Sequence, residues 1–407
     1  MSAPALDRLE SVNAIRAFQR TWLAETRERA LAGEPFVICT SDECEEILAV
    51  LGIPVLVINY WNFVITAQRK ARHFSQVLER RGYPGPHFFA LGLAATLEPE
   101  EAPWGGLPKP ALILGSTRHE QELKITELWA RELGCPCYPL DFNFGSPYKR
   151  LPGDDWWATI RDGWEDLVDP ARLALRIEQN KALVNYLEML TGRAFSWQGL
   201  RQLMARLNEQ MACMTRARDA IAAARACPVS LRDQIAAYQT NWHRGTEHGL
   251  DMARAYRDEV EQRAAAGVAA YRDERIRLLY WSMAEEPDFH SYIEETYGAV
   301  FVGAPYGAMP QTYARTVYNG DALRALSARH IFLFDMQSPS WMLREARQYG
   351  VDAIVSVEDP SPYPSVFRRA CQAAGIPYLA VPRVRDDEEV RSVLDGFFRE
   401  QLPSAQP

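Results

Sequence analysis

The stretch ALILGSTRHEQELKITELWARELGCPCYPLD at residues 111–141 and the stretch AIVSVEDPSPYPSVFRRACQAAGIPYLAVPR at residues 353–383 decide the fold. Each begins with an apolar run of strand type and continues through a polar loop into a helical stretch. Each then ends with a glycine, a proline two positions later and a second apolar run. Because glycine readily adopts the left-handed conformation that ends a helix, both stretches read as strand–helix–strand units. The repeated order predicts two similar lobes.

Further apolar runs of strand type alternate with helical stretches on either side of these two units. Such alternation is typical of βαβ units and a parallel sheet. The predicted strands of the two lobes are 36–39, 55–58, 111–114, 137–140, 277–280, 300–302, 331–334, 353–357 and 378–381. The sequence therefore predicts an α/β protein with parallel sheets.

The middle of the chain has a different pattern. Residues 170–274 are rich in Ala, Arg, Glu, Gln and Leu at helical spacing, and strand-like runs are absent up to residue 269. We therefore predict an amino-terminal helix at 1–34, a first α/β lobe at 35–169, a helical segment at 170–274, a second α/β lobe at 275–401 and a tail at 402–407. Ligands of open parallel sheets bind beyond the carboxyl ends of the strands. The loops after Leu114 and Val357 are expected to face one cleft between the lobes.

The charge pattern argues against two classes of partner. The 407 residues carry a formal net charge of −8, without a block of like charges. Nucleic acids and anionic membranes favour clustered Lys and Arg, so neither is expected as a partner. The amino-terminal residues mix acidic and basic side chains where a signal peptide needs an apolar stretch. The apolar run at 53–67 is too short to span a bilayer. We expect a cytoplasmic protein.

The cysteines do not form a recognisable framework. Seven of them are scattered along the chain, which favours reduced thiols over disulfide bonds. Cys135 and Cys137 could form half of a metal site, but a zinc or iron–sulfur site needs two more ligands at a matching spacing. We interpret this pair as part of a buried strand. His243 and His248 are expected to lie in a solvated connection between helices.

Several short stretches of the chain occur in an order that is typical of one family. They are DECEEILAVLGIPV at 42–55, RGYP at 81–84, LEMLTGR at 187–193, RIRLL at 275–279, YGAV at 297–300 and GIPYL at 375–379. Together they resemble the 2-hydroxyacyl-CoA dehydratase / benzoyl-CoA reductase family. The resemblance implies two Rossmann-like lobes joined by a helical segment. It also implies a heterodimer, an acyl-CoA thioester as substrate, and a separate ATP-hydrolysing activator that delivers an electron.

The usual subunit of that family holds a [4Fe–4S] cluster between its lobes with three cysteines, and this chain departs from the pattern. Where the resemblance places the cysteines, the chain has Pro-His-Phe at 86–88, Ser-Thr-Arg-His at 116–119 and Glu-Asp-Pro at 358–360. Iron–sulfur clusters are held mainly by thiolates, and of these residues His87 alone could be a ligand. The resemblance therefore implies no cofactor on this chain and a [4Fe–4S] cluster on a homologous partner subunit.

The charged residues of these three loops are the predicted catalytic site. His87 and His119 could transfer protons near neutral pH, and Arg118 could bind a carboxylate or a CoA phosphate through two parallel hydrogen bonds. Glu358 would complete an acid–base set. The alternative is structural, because an Arg–carboxylate pair could simply fill the space that a cluster has vacated.

Four further residues are predicted to contact the substrate. Ser116 and Asp359 lie in the same loops as the catalytic candidates, and Tyr60 and Trp61 directly follow a strand. Aromatic rings at such positions could stack on an adenine or on an aromatic acyl group, although they more often anchor a core or an interface.

Three hypotheses remain open from the sequence. The first is a subunit of an acyl-CoA dehydratase or reductase that contributes cleft and interface beside a cluster-bearing partner. The second is a cluster-free lyase that acts on acyl-CoA with His87, Arg118 and Glu358. The third is a regulatory or scaffolding relative without catalysis. The absence of a Walker A sequence argues that this chain is not the ATPase.

Overall fold

The computed structural model describes residues 8–40, 44–83, 90–116, 120–140, 156–282, 287–316, 319–331, 338–358, 365–382 and 387–402. Every structural statement below concerns these residues.

The first lobe is a parallel sheet with helices packed around it. Its elements are α1 (Glu10–Leu31), β1 (Val37–Cys39), α2 (Glu45–Val50), β2 (Val55–Val57), α3 (Ile58–Ala67), α4 (Ala71–Arg80), α5 (Leu91–Leu97), β3 (Leu112–Ser116), α6 (Glu120–Leu133), β4 (Cys137–Leu140), α7 (Trp156–Thr159) and α8 (Trp164–Leu167). The strands are ordered β2-β1-β3-β4 and all pairs are parallel. The two inner strands are apolar along their buried length because helices cover both faces.

The helical segment follows as α9 (Pro170–Thr191), α10 (Trp197–Ala223), α11 (Leu231–Tyr238) and α12 (Glu247–Ala265). Local signals set the helix starts. The side chains of Asp169, Ser196, Ser230 and Thr246 each accept a hydrogen bond from a backbone N–H in the first turn of the helix that follows. The packing of α10 against α12 and of α1 against α11 and α12 makes this segment a bundle.

The second lobe repeats the topology of the first. Its elements are β5 (Ile276–Tyr280), α13 (Pro287–Tyr297), β6 (Ala299–Gly303), α14 (Pro305–Ala308), α15 (Pro310–Tyr313), α16 (Ala322–Ile331), α17 (Pro339–Tyr349), β7 (Ala353–Glu358), α18 (Val366–Ala374), β8 (Tyr378–Pro382) and α19 (Asp387–Gln401). The order is β6-β5-β7-β8 and all pairs are again parallel. The predicted α/β architecture of two Rossmann-like lobes with parallel sheets is confirmed.

Three local expectations are wrong. Ile331 ends helix α16 and does not begin a strand, while 332–334 lie outside the described residues; a short apolar run cannot by itself separate the two states. Cys137 is exposed, because β4 is the edge strand of its sheet. His243 is buried, where its Nε2 lies 3.1 Å from Oε1 of Gln19 and its ring meets the edge of Trp22.

One continuous apolar core runs through both lobes and the helical segment. The helices described include none with the length and apolar character that a bilayer crossing needs.

Candidate functional site

Each sheet has a switch point, where neighbouring strands are followed by connections that leave in opposite directions. In the first sheet it lies between β1 and β3, and in the second between β5 and β7. Ligands of open α/β sheets bind in the crevice outside the carboxyl ends of the strands at this point. Ser116 ends β3 and Glu358 ends β7, so one predicted residue of each lobe lies at a switch point.

Aromatic contacts show that the carboxyl ends of the two sheets face each other. Helix α3 follows β2 and carries Phe63, whereas α14 follows β6 and carries Tyr306. The ring centroids of these two residues are 5.9 Å apart in an edge-to-face arrangement. Tyr238 of the helical segment packs on Tyr306 at 5.1 Å. All three parts of the chain therefore meet at the carboxyl-end side of the sheets.

Three tryptophans form a second bridge between the lobes. Trp281 directly follows β5 and is held by its backbone N–H, which donates to Val355 O at 2.8 Å. Its ring meets Trp341 of α17 at 5.8 Å, and Trp341 meets Trp156 of the first lobe at 5.6 Å. The indole Nε1 atoms of Trp156 and Trp341 are buried and find no acceptor among the described residues. Buried donors of this kind usually have a partner, so this junction is suited to a bound acceptor.

Glu358 is held in place at the end of β7. Its carboxylate accepts hydrogen bonds from the hydroxyls of Tyr378 and Ser365, the latter at 3.1 Å. Burial raises the pKa of Tyr378, and the hydrogen bond to Glu358 raises it further. The phenol therefore stays protonated and acts as a donor. A half-buried carboxylate in a fixed orientation at a switch point can bind a donor group or accept a proton.

Glu46 of α2, the helix that follows β1, is the centre of a buried group of charged residues. Its carboxylate binds Nε of Arg244 at 3.1 Å and a terminal nitrogen of Arg329 at 2.6 Å. Arg244 also binds Glu45 at 2.5 Å, and its guanidinium lies 4.8 Å from the ring centroid of Tyr313. The four charged residues are buried almost completely. Charged side chains are rarely buried unless they are paired. The burial of these four residues therefore depends on the ion pairs between them.

The electrostatics of the group keep Glu46 ionised. Burial alone would raise the pKa of Glu46, but the charges of Arg329 and Arg244 outweigh it and the pKa is lowered. Burial lowers the pKa of the neighbouring His330 well below its usual range, so this imidazole is neutral near pH 7. Its Nδ1 lies 3.2 Å from the amide nitrogen of Asn180, which donates to Ser327. Glu46 therefore stays ionised and His330 stays neutral near pH 7. The group is suited to holding the two lobes in a fixed position relative to each other.

Sequence patterns did not reveal this group. Its members come from α2, from the connection between α11 and α12 and from α16, and the paired residues Glu46 and Arg329 are 283 positions apart. Glu45 and Glu46 belong to the quoted 42–55 stretch, but two acidic residues near a helix start are common. Only the fold brings the arginines to them.

A family model described as 2-hydroxyglutaryl-CoA dehydratase, D-component, matches residues 44–397. The chain belongs to this family. The match begins beside Glu45 and Glu46 and extends through the helical segment to α19 in the second lobe. No curated protein matches the chain.

The described residues include only part of the predicted site of this dehydratase-family chain. His87, Arg118, His119 and Asp359 lie outside them, and Ser116 is described by its backbone at the end of β3. The catalytic roles of His87, Arg118, His119 and Glu358 stay predictions, as do the substrate contacts of Ser116 and Asp359.

Tyr60 and Trp61 are both described and buried. Tyr60 stacks on Trp242 with a centroid distance of 5.2 Å, and Trp61 meets the edge of Trp104 at 5.9 Å. Their rings are thus part of the aromatic packing that follows the carboxyl end of β2. Their role in substrate binding stays a prediction.

The cysteines do not suit an iron–sulfur cluster. All seven lie among the described residues, and no three His, Cys, Asp or Glu side chains of the described ranges are grouped to hold a metal ion. The stretches 84–89, 117–119 and 359–364 contain no cysteine either. Burial raises the pKa of Cys135, Cys227 and Cys371, which disfavours the thiolate that a cluster needs. The donor set of this chain does not fit a thiolate-bound cluster.

Proposed function

We propose that this chain is a cluster-free subunit of a heteromeric enzyme that dehydrates or reduces acyl-CoA thioesters. The observation that carries the proposal is the family match over residues 44–397 combined with a set of seven cysteines that are not grouped as ligands. A family member that keeps both lobes and the cleft but lacks the thiolates has its simplest role beside a subunit that has them.

In this proposal, a homologous subunit holds the [4Fe–4S] cluster and an ATP-dependent activator supplies the electron. This chain contributes its inter-lobe cleft and an interface. The facing carboxyl ends of the two sheets support the cleft, because they put both switch points on one side. The buried Glu46 group supports a fixed relation between the lobes, since its partners come from all three parts of the chain.

The residues proposed to act on the acyl-CoA follow the strands at these ends. Arg118 follows β3 and would bind a carboxylate or phosphate through its planar guanidinium. His87 and His119 would hold or move a proton, and Glu358, fixed by Ser365 and Tyr378, would orient a donor group. Tyr60, Trp61, Ser116 and Asp359 are proposed to contact or support the bound substrate.

The first test is the iron and acid-labile sulfide content of anaerobically purified protein. It is measured on the chain alone and on the complex that it forms when it is co-expressed with proteins encoded beside it. We expect no stoichiometric iron on the lone chain and about four iron atoms in the complex, the content of one cubane cluster. About four iron atoms on the lone chain would overturn the cluster-free assignment.

The second test separates catalysis from scaffolding in the same complex. Arg118→Ala is expected to lower kcat/KM for 2-hydroxyacyl-CoA at least about 100-fold if a bidentate contact is lost. Arg131→Ala, which changes the same charge on the exposed face of α6, is the control. Equal activity of the two variants would favour the scaffolding alternative. Dehydration by the lone iron-free chain would instead favour the cluster-free lyase.

A further inference from the structure

A groove of about 350 Å³ lies outside the inter-lobe cleft, between the helical segment and the second lobe. Its lining includes Ile235 and the first half of β6, Ala299–Phe301. β6 is the edge strand of the second sheet, and its first residues lie at the end opposite the switch point. The groove is therefore separate from the candidate site at the carboxyl ends of the strands.

The two walls of the groove carry opposite charges. Arg232 at the start of α11 and Arg8, just before α1, line it from the helical side, whereas Glu294 and Glu295 of α13 line it from the second lobe. None of these four side chains has an ion-pair partner within the described part of the chain. Asp233 also lines the helical wall, but Arg16 at 3.2 Å neutralises it. The lining therefore has two arginines on the helical side and two glutamates on the side of the second lobe, together with apolar residues such as Ile235 and Val300.

His290 adds a polar atom that lacks a partner. Its ring lines the groove and packs against Tyr280 at 4.5 Å and Phe301 at 4.8 Å. Burial lowers the pKa of His290 to about 3, so the imidazole is neutral and has one acceptor nitrogen. Its Nε2 is buried and has no hydrogen-bond partner among the described residues. A buried polar atom of this kind normally meets water or a ligand.

We propose that this groove is a second ligand site and that it binds a small amphoteric molecule of the α-amino acid class. The carboxylate meets Arg8 and Arg232, the ammonium group meets Glu294 and Glu295, and an apolar side chain covers Ile235 and Val300. Both charges matter, because either one alone would leave the opposite wall without a counterion. Desolvation and the neighbouring charge of Glu295 raise the pKa of Glu294, which a bound ammonium group would counteract.

A ligand at this position would join the helical segment to the second lobe. Carboxylate contacts to arginine and ammonium contacts to glutamate are charge-assisted, and in a partly enclosed groove they are stronger than on an open surface. In the tautomer with an unprotonated Nε2, the imidazole of His290 would accept a hydrogen bond from the ammonium group or from a bridging water. The site thus recognises the charge pattern of the ligand more than the identity of its side chain.

The test is isothermal titration of the whole chain with L-phenylalanine and with two analogues, phenethylamine and 3-phenylpropionate, which each lack one charge. We expect saturable binding of L-phenylalanine and at least about tenfold weaker binding of either analogue. Glu294→Gln and Arg232→Gln, both at exposed positions, should each weaken binding at least about tenfold. His290→Phe, which keeps an aromatic ring but removes the acceptor, should also weaken it.

Glu178→Gln removes the same charge from the exposed face of α9 and should leave the affinity unchanged. The proposal is overturned if L-phenylalanine shows no saturable binding up to about 10 mM. It is also overturned if the Glu294 and Arg232 variants bind like the parent protein, or if either analogue binds as tightly as the amino acid. The titration needs neither the partner subunit nor turnover, so its outcome is independent of the proposed dehydratase role.

Discussion

Replacement of Glu46 by glutamine would remove the one charge that Arg244 and Arg329 share at the junction of the lobes. The carboxylate is fully buried and lies 3.1 Å from Arg244 and 2.6 Å from Arg329. Glutamine has nearly the same shape and keeps one acceptor oxygen. The substitution therefore removes the charge with little change of shape. Arg329 loses this carboxylate, whereas Arg244 keeps Glu45, and one guanidinium group meets an amide NH2 in place of an acceptor oxygen.

The expected loss is large on the scale of protein stability. Removal of one partner from a buried ion pair costs about 3–5 kcal/mol, and the retained acceptor puts Glu46→Gln near the lower end, at about 3 kcal/mol. At about 2.1 cal/mol/K for each of 407 residues, the unfolding entropy is about 0.85 kcal/mol/K if the chain unfolds as one unit. The melting temperature should then fall by about 4 °C.

Thermal unfolding followed by circular dichroism measures this shift, and Glu261→Gln is the matched control. Glu261 also accepts two hydrogen bonds of 3.0 Å from an arginine, Arg216, but this arginine is 60% exposed. An exposed pair contributes at most about 1 kcal/mol, so the control should lose about 1 °C or less. Equal melting temperatures for the two variants would refute the view that the Glu46 group stabilises the junction.

The same pair of proteins gives a pH test with a defined sign. The pKa of Glu46 is lowered in the folded state, so its contribution is fully present above the unfolded-state pKa of about 4.3 and is lost as the pH falls towards the folded-state pKa. The difference in melting temperature between the parent protein and Glu46→Gln should be constant near neutral pH and should shrink below about pH 4.

Two further predictions concern the helical segment. A Cβ atom at Gly249 would lie 2.1 Å from the backbone oxygen of His243, so Gly249→Ala should lower the free energy of unfolding by at least about 2 kcal/mol. Gly396→Ala is the control, because the space around this position in α19 is open, and it should raise the free energy of unfolding by up to about 1 kcal/mol. Similar urea midpoints for the two variants would contradict the close approach of Gly249 to His243. Burial, and then the charge of His248, lowers the pKa of His243 to about 3. Between about pH 6.5 and pH 3 the unfolded chain therefore binds a proton that the folded chain does not bind. The free energy of unfolding should fall over this range as the pH drops, by up to about 1.4 kcal/mol per pH unit. His243→Gln should flatten the dependence of the urea midpoint on pH between about 6.5 and 4, and an unchanged slope would show that His243 is protonated in the folded state.

Local patterns in the sequence were sufficient for the architecture. A strand of four or five apolar residues, a helix at 3.6-residue spacing and a closing glycine are all short-range features, and they recur at 111–141 and 353–383. The glycines at 134 and 375 adopt positive φ angles of 57° and 69°, the conformation that a helix end requires. These signals decided the parallel sheets and the helical segment, and the order of short motifs decided the family.

Only the tertiary structure decided which side chains are buried together. The sequence contains the same kind of histidine at 243 and 248, yet the first is enclosed by Phe18 and Trp22 and the second is exposed. Cys135 and Cys137 flank Pro136, yet Cys135 is buried and Cys137 is exposed because β4 is an edge strand. The group around Glu46 shows the physical reason. Ion pairing depends on distance in space, and the order of strands and the packing of helices set that distance for residues that lie far apart in the chain.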